Sequence, residues 1–185
     1  MRYPAAHRET VRARIVEAAS HALRRGGIDG VSVAALMKQV GLTHGGFYGY
    51  FSDRDELVAE AVRFAAAATA TGTLEASSVG AMLRKYASAE HVARPAEGCV
   101  LAALGSEARR HSGPIRKSFA DSARGFLQCI QRRLQPSRPD RRVSDEALDL
   151  ATRMIGAVVL ARLVDDEPLA KRILAAARKH ASGAT

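Results

Sequence analysis

The residues between Ser32 and Arg54 have the types and spacing of a surface that binds nucleic acid. A hydroxyl, an imidazole and two glycines follow one another in Thr43-His44-Gly45-Gly46, and two phenols and a guanidinium come soon after. At the exposed start of a helix, polar side chains can reach base edges in a major groove ~12 Å wide, and glycines let the backbone approach closely. Phenols and guanidinium groups suit the phosphate oxygens that flank the groove.

Two short helical segments must position these groups. Apolar residues recur with helical spacing after Ser32, which can cap a segment that ends at Gln39. Thr43 can cap a second segment that ends near Tyr50, and a tight turn at Gly41 joins the two. This is a helix-turn-helix pattern, and its second helix is predicted to enter the groove.

Two features of the second segment have alternative interpretations. Consecutive glycines cost about 1 kcal/mol each in a helix, so Gly45 and Gly46 mark either close approach of the backbone to DNA or a frayed, kinked turn. The aromatic residues at its end can pack locally or contact phosphate. We predict that Phe47 and Phe51 pack in the core, and that Tyr48 contacts phosphate.

The whole chain is predicted to be helical, because no long run of β-branched and aromatic residues alternates with period two. We expect an all-α protein with an N-terminal three-helix helix-turn-helix DNA-binding domain over residues 1–53. A larger helical bundle for ligand binding and dimerisation is expected over residues 54–185. The predicted helices span residues 8–25, 32–39, 43–50, 54–70, 79–89, 99–111, 115–134, 144–163 and 167–180.

The 185-residue chain is strongly basic, with 28 Lys+Arg against 19 Asp+Glu and a formal net charge of +9. Such a balance favours a polyanionic partner. The first residues are charged and lack the apolar region of a signal peptide, and no apolar run approaches the ~20 residues of a membrane span. Two cysteines are too few for a disulfide framework and lack zinc spacing. We therefore expect reduced thiols, a cytoplasmic protein, and no metal or cofactor.

The stretch GLTHGGFYGYFSDRDEL, residues 41–57, resembles the DNA-binding signature of the tetracycline-repressor (TetR) family of bacterial transcriptional regulators. The agreement extends over about residues 10–60 and includes GVSVAALM at residues 30–37. The resemblance implies that Ser32 and Thr43 cap helices near phosphates. The DNA-binding residues that it implies are Ser32, Thr43, His44, Gly45, Gly46, Tyr48, Tyr50 and Arg54.

The sequence departs from the family pattern at Gly49, where a Lys is common. Absence of a lysine that binds phosphate lowers the salt dependence of DNA binding by roughly 0.9 per phosphate without changing which bases are read. Three basic side chains of the first domain are candidates to compensate: Arg12, Arg14 and Lys38.

The resemblance also implies a homodimer in which a small-molecule effector, bound in each C-terminal bundle, releases a palindromic operator. Two C-terminal helices are apolar on more than one face, which favours an intermolecular four-helix bundle, with a fully intrachain core as the alternative. The predicted dimer residues are Met154, Ile155, Val158, Leu163, Leu169 and Ile173. The predicted pocket residues, for each of which ordinary core packing is the alternative, are Phe64, Met82, Tyr86, Cys99, Leu104, Glu107, Phe119 and Phe126.

Two pairs of reactive side chains have competing interpretations. Glu107 and His111 stand four residues apart and could hold a metal or orient an effector, but we favour an ion pair of Glu107 with Arg110 or a neighbouring arginine. Cys99 and Cys129 could form a redox sensor if they meet, but their apolar contexts favour inert buried thiols.

These observations predict a dimeric, sequence-specific transcriptional regulator, and the resemblance implies a repressor. The alternative is a constitutive, architectural DNA-binding protein without an effector, which would show weak sequence preference. An enzyme is not expected, since the chain lacks a phosphate-binding loop, a nucleophile elbow and the His-Glu-x-x-His motif. A membrane-surface protein is disfavoured because the arginines are spread over several helices.

Overall fold

The computed structural model describes residues 5–137 and 142–179, and every regular element in these ranges is a helix, which confirms the all-α class. In these ranges the α-helices are α1 (Ala5–Gly26), α2 (Val33–Gln39), α3 (Arg54–Thr69), α4 (Val79–Tyr86), α5 (Ala89–Ala93), α6 (Val100–Leu104), α7 (Gly113–Leu134), α8 (Asp145–Leu163) and α9 (Glu167–Arg178). A 3₁₀ helix at His44–Gly49, called the recognition helix below, lies between α2 and α3. A π-helical turn at Ala70–Leu74 follows α3, and a 3₁₀ turn at Ala108–Arg110 precedes α7.

Side-chain caps explain where most of these helices begin. The hydroxyls of Ser32 and Thr43 each accept a hydrogen bond from the amide three residues on, at 3.3 Å, as the sequence predicts. Asp53 caps α3 in the same way, and Ser78, Ser88, Ser144 and Asp166 cap α4, α5, α8 and α9.

Three predicted helices differ from the observed ones. The second segment of the helix-turn-helix is a 3₁₀ helix rather than an α-helix, because three of its six residues are glycines with low helical propensity. The helix predicted over residues 79–89 ends at Tyr86, and the Ser88 cap starts the separate α5. The helix predicted over residues 99–111 stops at Leu104, where Gly105 follows.

Two buried apolar clusters fill most of the interior. The first joins α1, α2, the recognition helix and α3 to one side of α6 and α7, and it includes Ile15, Phe47, Phe51, Leu104 and Phe119. The second joins α4, α6, α7 and α8, and it includes Met82, Tyr86, Phe126, Leu150 and Met154. The helix α3 runs from the helix-turn-helix along α7, so it carries the recognition helix on the larger bundle. Within the described ranges, no helix is both long and apolar enough to cross a lipid bilayer.

Candidate nucleic-acid interface and ligand cavity

Two buried phenylalanines anchor the recognition helix to the first core cluster. Phe47 and Phe51 are almost fully buried, and their rings stack with centroids 5.5 Å apart. Gly41 has a φ of +79° in the turn before the helix, a conformation that L side chains rarely adopt. The Leu42 amide donates to the Met37 carbonyl at 2.8 Å and so closes this turn against α2. The core role predicted for the two phenylalanines is therefore confirmed.

The opposite side of the recognition helix faces solvent. Tyr48 is 69% exposed, and its ring meets the edge of Phe47 at a centroid distance of 5.3 Å. Thr43, His44 and Gly45 are exposed, and a Cβ added at Gly45 would meet nothing within 4 Å. Internal packing therefore does not require a glycine at position 45. The open surface leaves room for another molecule to approach the backbone.

Four of the predicted DNA-binding residues lie at the margins of this surface. Ser32 is exposed at the start of α2, whereas Gly46 and Tyr50 are half-buried. Arg54 is half-buried, and its guanidinium donates to the Val31 carbonyl at 3.4 Å and to the Ile28 carbonyl. Arg54 thus ties the loop before α2 to the start of α3. Its contact with phosphate stays a prediction.

The arginines of α1 divide into two roles. Arg12 forms ion pairs with Glu56 and Glu60 of α3, and its guanidinium lies 4.5 Å from the centroid of the Phe51 ring. Hydrogen bonding to Glu60 raises the pKa of Arg12, so Arg12 is committed to holding α1 against α3. Arg8, which no sequence pattern indicated, is exposed and donates to the Gly49 carbonyl at the end of the recognition helix. Arg8 therefore places a positive charge at Gly49, and Arg12 Nε donates to the neighbouring Tyr50 carbonyl at 3.2 Å.

A cavity of about 200 Å³ lies between the end of α3, the π-helical turn, the start of α6 and α7. Its walls are mainly apolar, with Leu74, Val100, Leu101 and Phe126 among them. Cys99 and Cys129, both free thiols, also line it. A concave apolar space with few polar groups is the usual form of a small-molecule site, although this one is smaller than the ~300–1000 Å³ of drug-sized pockets.

The predicted pocket residues fall into three groups. Cys99 and Phe126 line the cavity. Met82 and Tyr86 belong to the second core cluster, and Leu104 and Phe119 to the first. Phe64 is 38% exposed on the surface of α3, and Glu107 lies beyond the end of α6. The sequence could not separate wall from core, because both environments select apolar residues on helical faces.

Both flanks of α6 are bonded to the helix-turn-helix unit. Arg24, near the end of α1, is buried and donates to the Gly98 carbonyl at 2.7 Å. The Glu107 carboxylate accepts a hydrogen bond from the Ile28 amide at 2.9 Å. This contact replaces the ion pair with Arg110 that the sequence suggested. Since Cys99 and the first residues of α6 line the cavity, one short segment touches both the cavity and the helix-turn-helix unit.

His91 holds the start of this segment from the other side. Its Nδ1 lies 2.6 Å from the Tyr86 carbonyl oxygen, and its Nε2 accepts from the Cys99 amide at 2.9 Å. The ring is therefore neutral, with its proton on Nδ1. Burial lowers the pKa of His91. Arg162 of α8 donates to the His91 carbonyl at 2.8 Å, which links α8 to the same segment.

Glu107 and His111, for which metal binding was the less favoured alternative, do not belong to a larger cluster of metal-binding side chains among the described residues. His111 Nε2 lies 3.8 Å from Asp29, while Glu107 is engaged with Ile28. Across residues 5–137 and 142–179, no group of three or more His, Cys, Asp and Glu side chains has an arrangement that could hold a metal ion.

The helices α8 and α9 expose large apolar side chains. Leu160 is 52% and Leu163 is 74% exposed, and Leu169 is also exposed. Met154 and Val158, which the sequence analysis assigned to the dimer interface, are instead fully buried within the chain's own core. The remaining predicted interface residues, Ile155 and Ile173, are half-buried.

Comparison with known proteins identifies the N-terminal unit and the fold. Residues 15–61 match the sequence profile described as "Bacterial regulatory proteins, tetR family". Similar solved structures include a TetR transcriptional regulator from Chloroflexus aurantiacus J-10-FL, with 21% identity, 94% of each chain covered and a TM-score of 0.74. Escherichia coli NemR in its reduced form has 18% identity, 95% of this chain and 100% of that chain covered, and a TM-score of 0.75.

A third similar structure is a TetR-family transcriptional regulator from Agrobacterium tumefaciens, with 19% identity, 93% of this chain and 97% of that chain covered, and a TM-score of 0.73. At these identities the similarity shows a shared fold. No curated protein is significantly similar to this chain in sequence.

Proposed function

We propose that this chain is a DNA-binding transcriptional regulator of the TetR family, and that it is a homodimeric repressor that a small-molecule effector releases from a palindromic operator. The match of residues 15–61 to the family's sequence profile and the shared fold support this proposal. The effector binds in the cavity between α3, α6 and α7. The protein acts in the cytoplasm and is a regulator without catalytic activity of its own.

The observation that carries this proposal is the exposed side of the recognition helix. His44 stands at its exposed start, beside the bare backbone of Gly45, where it can reach base edges. Tyr48 and Thr43 offer hydroxyls to the phosphates on either side, and Arg8 adds a charge at the far end. Phosphate contacts position the helix, so His44 is the side chain that we assign to base recognition.

The contacts of α6 support release by an effector. Cys99, Val100 and Leu101 lie at the start of a segment that is bonded to Arg24 at Gly98 and to Ile28 at Glu107. A ligand in the cavity presses on these three residues. Displacement of this segment therefore moves the end of α1 and the loop before α2. An effector lowers affinity for DNA only if it binds the displaced arrangement more tightly than the DNA-binding one.

The exposed leucines of α8 and α9 support dimerisation. Leu160 and Leu163 cost solvation energy when they face water, and a two-fold pairing of these helices buries them. Leu163→Glu is expected to convert the dimer to a monomer in sedimentation experiments, whereas Phe64→Glu on α3 leaves it dimeric. A Leu163→Glu variant that still sediments as the wild-type dimer would contradict this interface.

The proposal is tested by selecting bound sequences from a random duplex pool at a fixed physiological salt concentration. A dimer with two recognition helices is expected to enrich a two-fold symmetric motif, which then serves to screen effectors for release. An affinity for DNA that falls as the salt concentration rises, with no motif enriched, would overturn the proposal and favour an architectural DNA-binding protein.

A further inference from the structure

The cavity between α3, α6 and α7 has one charged group on its wall. Among the described residues that line it, Arg132 alone has a charged side chain. Its guanidinium donates to Cys129 Sγ at 3.0 Å, three residues back on α7. Arg132 is exposed at the edge of the cavity and sulfur is a weak acceptor, so water rather than another protein group completes the hydrogen bonds of the guanidinium.

No carboxylate competes for this guanidinium in the part of the chain that the structure describes. The ion pairs found in residues 5–137 and 142–179 include other α7 cations, with Lys117 and Arg124 both paired to Asp121, but none includes Arg132. The cavity therefore combines an apolar interior with one cation that lacks an anionic partner in these ranges. A planar guanidinium with several N–H donors suits a carboxylate, which it can bind through two parallel hydrogen bonds.

We propose that the cavity binds a small monocarboxylate with an apolar body, with its carboxylate on Arg132 and its body against Phe126, Leu101 and Leu74. The proposal rests on the function assigned above, and names the chemical class of the effector. The cavity volume of about 200 Å³ favours a single aromatic ring or a short aliphatic chain over a larger molecule. Two hydroxyl side chains also line the cavity, Thr69 and Ser122; they carry no charge and do not repel the acid.

The position of Cys129 supplies a readout that does not involve DNA. Cys129 is half-buried and lies beside Arg132, whereas Cys99 is 3% exposed. A carboxylate bound at Arg132 covers the Cys129 sulfur and slows its alkylation by N-ethylmaleimide. Mass spectrometry of the peptides distinguishes the two cysteines.

The experiment compares acids with neutral molecules of the same shape. Benzoate and hexanoate are titrated into the purified full-length protein, with benzamide and hexanamide as their counterparts, and both calorimetry and Cys129 alkylation are followed. At least one acid is expected to bind and to protect Cys129, with an affinity about ten-fold or more above that of its amide, as expected for hydrogen bonds to a charged group. Amides that bind as tightly as the acids, or a panel in which no acid binds, would overturn the proposal.

Two variants on α7 assign the binding to one side chain. Arg132→Gln is expected to lower the affinity for the acid about ten-fold or more and to leave the affinity for the amide unchanged. Arg116→Gln, an exposed position on the same helix outside the cavity wall, is expected to bind as wild type. Circular dichroism checks that both variants fold, and the acid-to-amide comparison in the wild type decides the question without them. An unchanged affinity of Arg132→Gln for the acid would refute the role of Arg132.

The outcome is separable from that of the proposed function. Operator selection is carried out without any acid, so a failure to find an operator leaves the binding measurements intact. Acids that bind at Arg132 without releasing the operator would confirm the ligand class and refute release by it.

Discussion

The hydrogen bond between Glu107 and the Ile28 amide offers a sharp test of how the two parts of the molecule are joined. Glu107→Ala removes the acceptor of an amide whose residue is fully buried, with a wild-type donor–acceptor distance of 2.9 Å. A buried donor left without an acceptor costs about 1–3 kcal/mol. For a chain of 185 residues, each kcal/mol lowers Tm by about 2–4 °C. We therefore expect a loss of about 2 kcal/mol and a Tm lower by about 4–8 °C.

Denaturant unfolding followed by circular dichroism measures this loss, and amide hydrogen exchange locates it at Ile28. Glu97→Ala is the matched control, because Glu97 has an exposed side chain and reaches Arg94 only at 3.7 Å. Removal of such a surface pair is expected to change stability by less than about 0.5 kcal/mol. Glu107→Gln keeps an acceptor oxygen and is expected to fall between the two. Equal stabilities of Glu107→Ala and Glu97→Ala, or an unchanged exchange rate at Ile28, would refute the reasoning.

Three further predictions concern DNA binding and pH. His44→Ala is expected to change the selected DNA motif, whereas Tyr48→Phe weakens binding to all sequences alike; an unchanged motif in His44→Ala would remove His44 from base recognition. Arg8→Ala is expected to reduce the slope of log affinity against log salt by about 0.9 for each phosphate that a subunit no longer neutralises, and Arg63→Ala, exposed on α3, provides the control. Burial lowers the pKa of His91 below its ordinary value of 6.5, so the stability that neutral His91 contributes is complete above pH 6.5 and decreases as the pH falls below it. Urea unfolding between pH 5 and 8 is expected to show this decrease in the wild type and a smaller one in His91→Gln.

Local chemistry made the helix-turn-helix unit predictable from sequence. The caps at Ser32 and Thr43 and the burial of Phe47 and Phe51 follow from residue type and spacing within one or two turns, and the structure confirms them. The 3₁₀ geometry of the recognition helix was missed because helical periodicity over six residues does not distinguish the two helix types. Arg8 was missed because its contact with Gly49 spans 41 positions in the chain.

The larger bundle was less predictable because its arrangement depends on contacts between distant helices. Glu107 bonds to Ile28 across 79 positions, and Arg24 bonds to Gly98 across 74. No local pattern signals such partners. Apolar periodicity also fails to separate the two sides of α8. It therefore places Met154 and Val158 at the dimer interface although they lie inside the core, and it gives no signal for the exposed Leu160.

The first core cluster limits how this protein can be recombined with its relatives. Phe119 of α7 and Leu104 of α6 are packed in the same cluster as Ile15 and Phe47. A chimera that takes only residues 1–53 from this chain therefore lacks the apolar side chains of α3, α6 and α7 that pack against this unit. The bundle of the other protein must supply side chains that fit in their place. A chimera that also carries α3, α6 and the first half of α7 keeps its own packing, so it is the better starting point for moving this helix-turn-helix unit onto a different helical bundle.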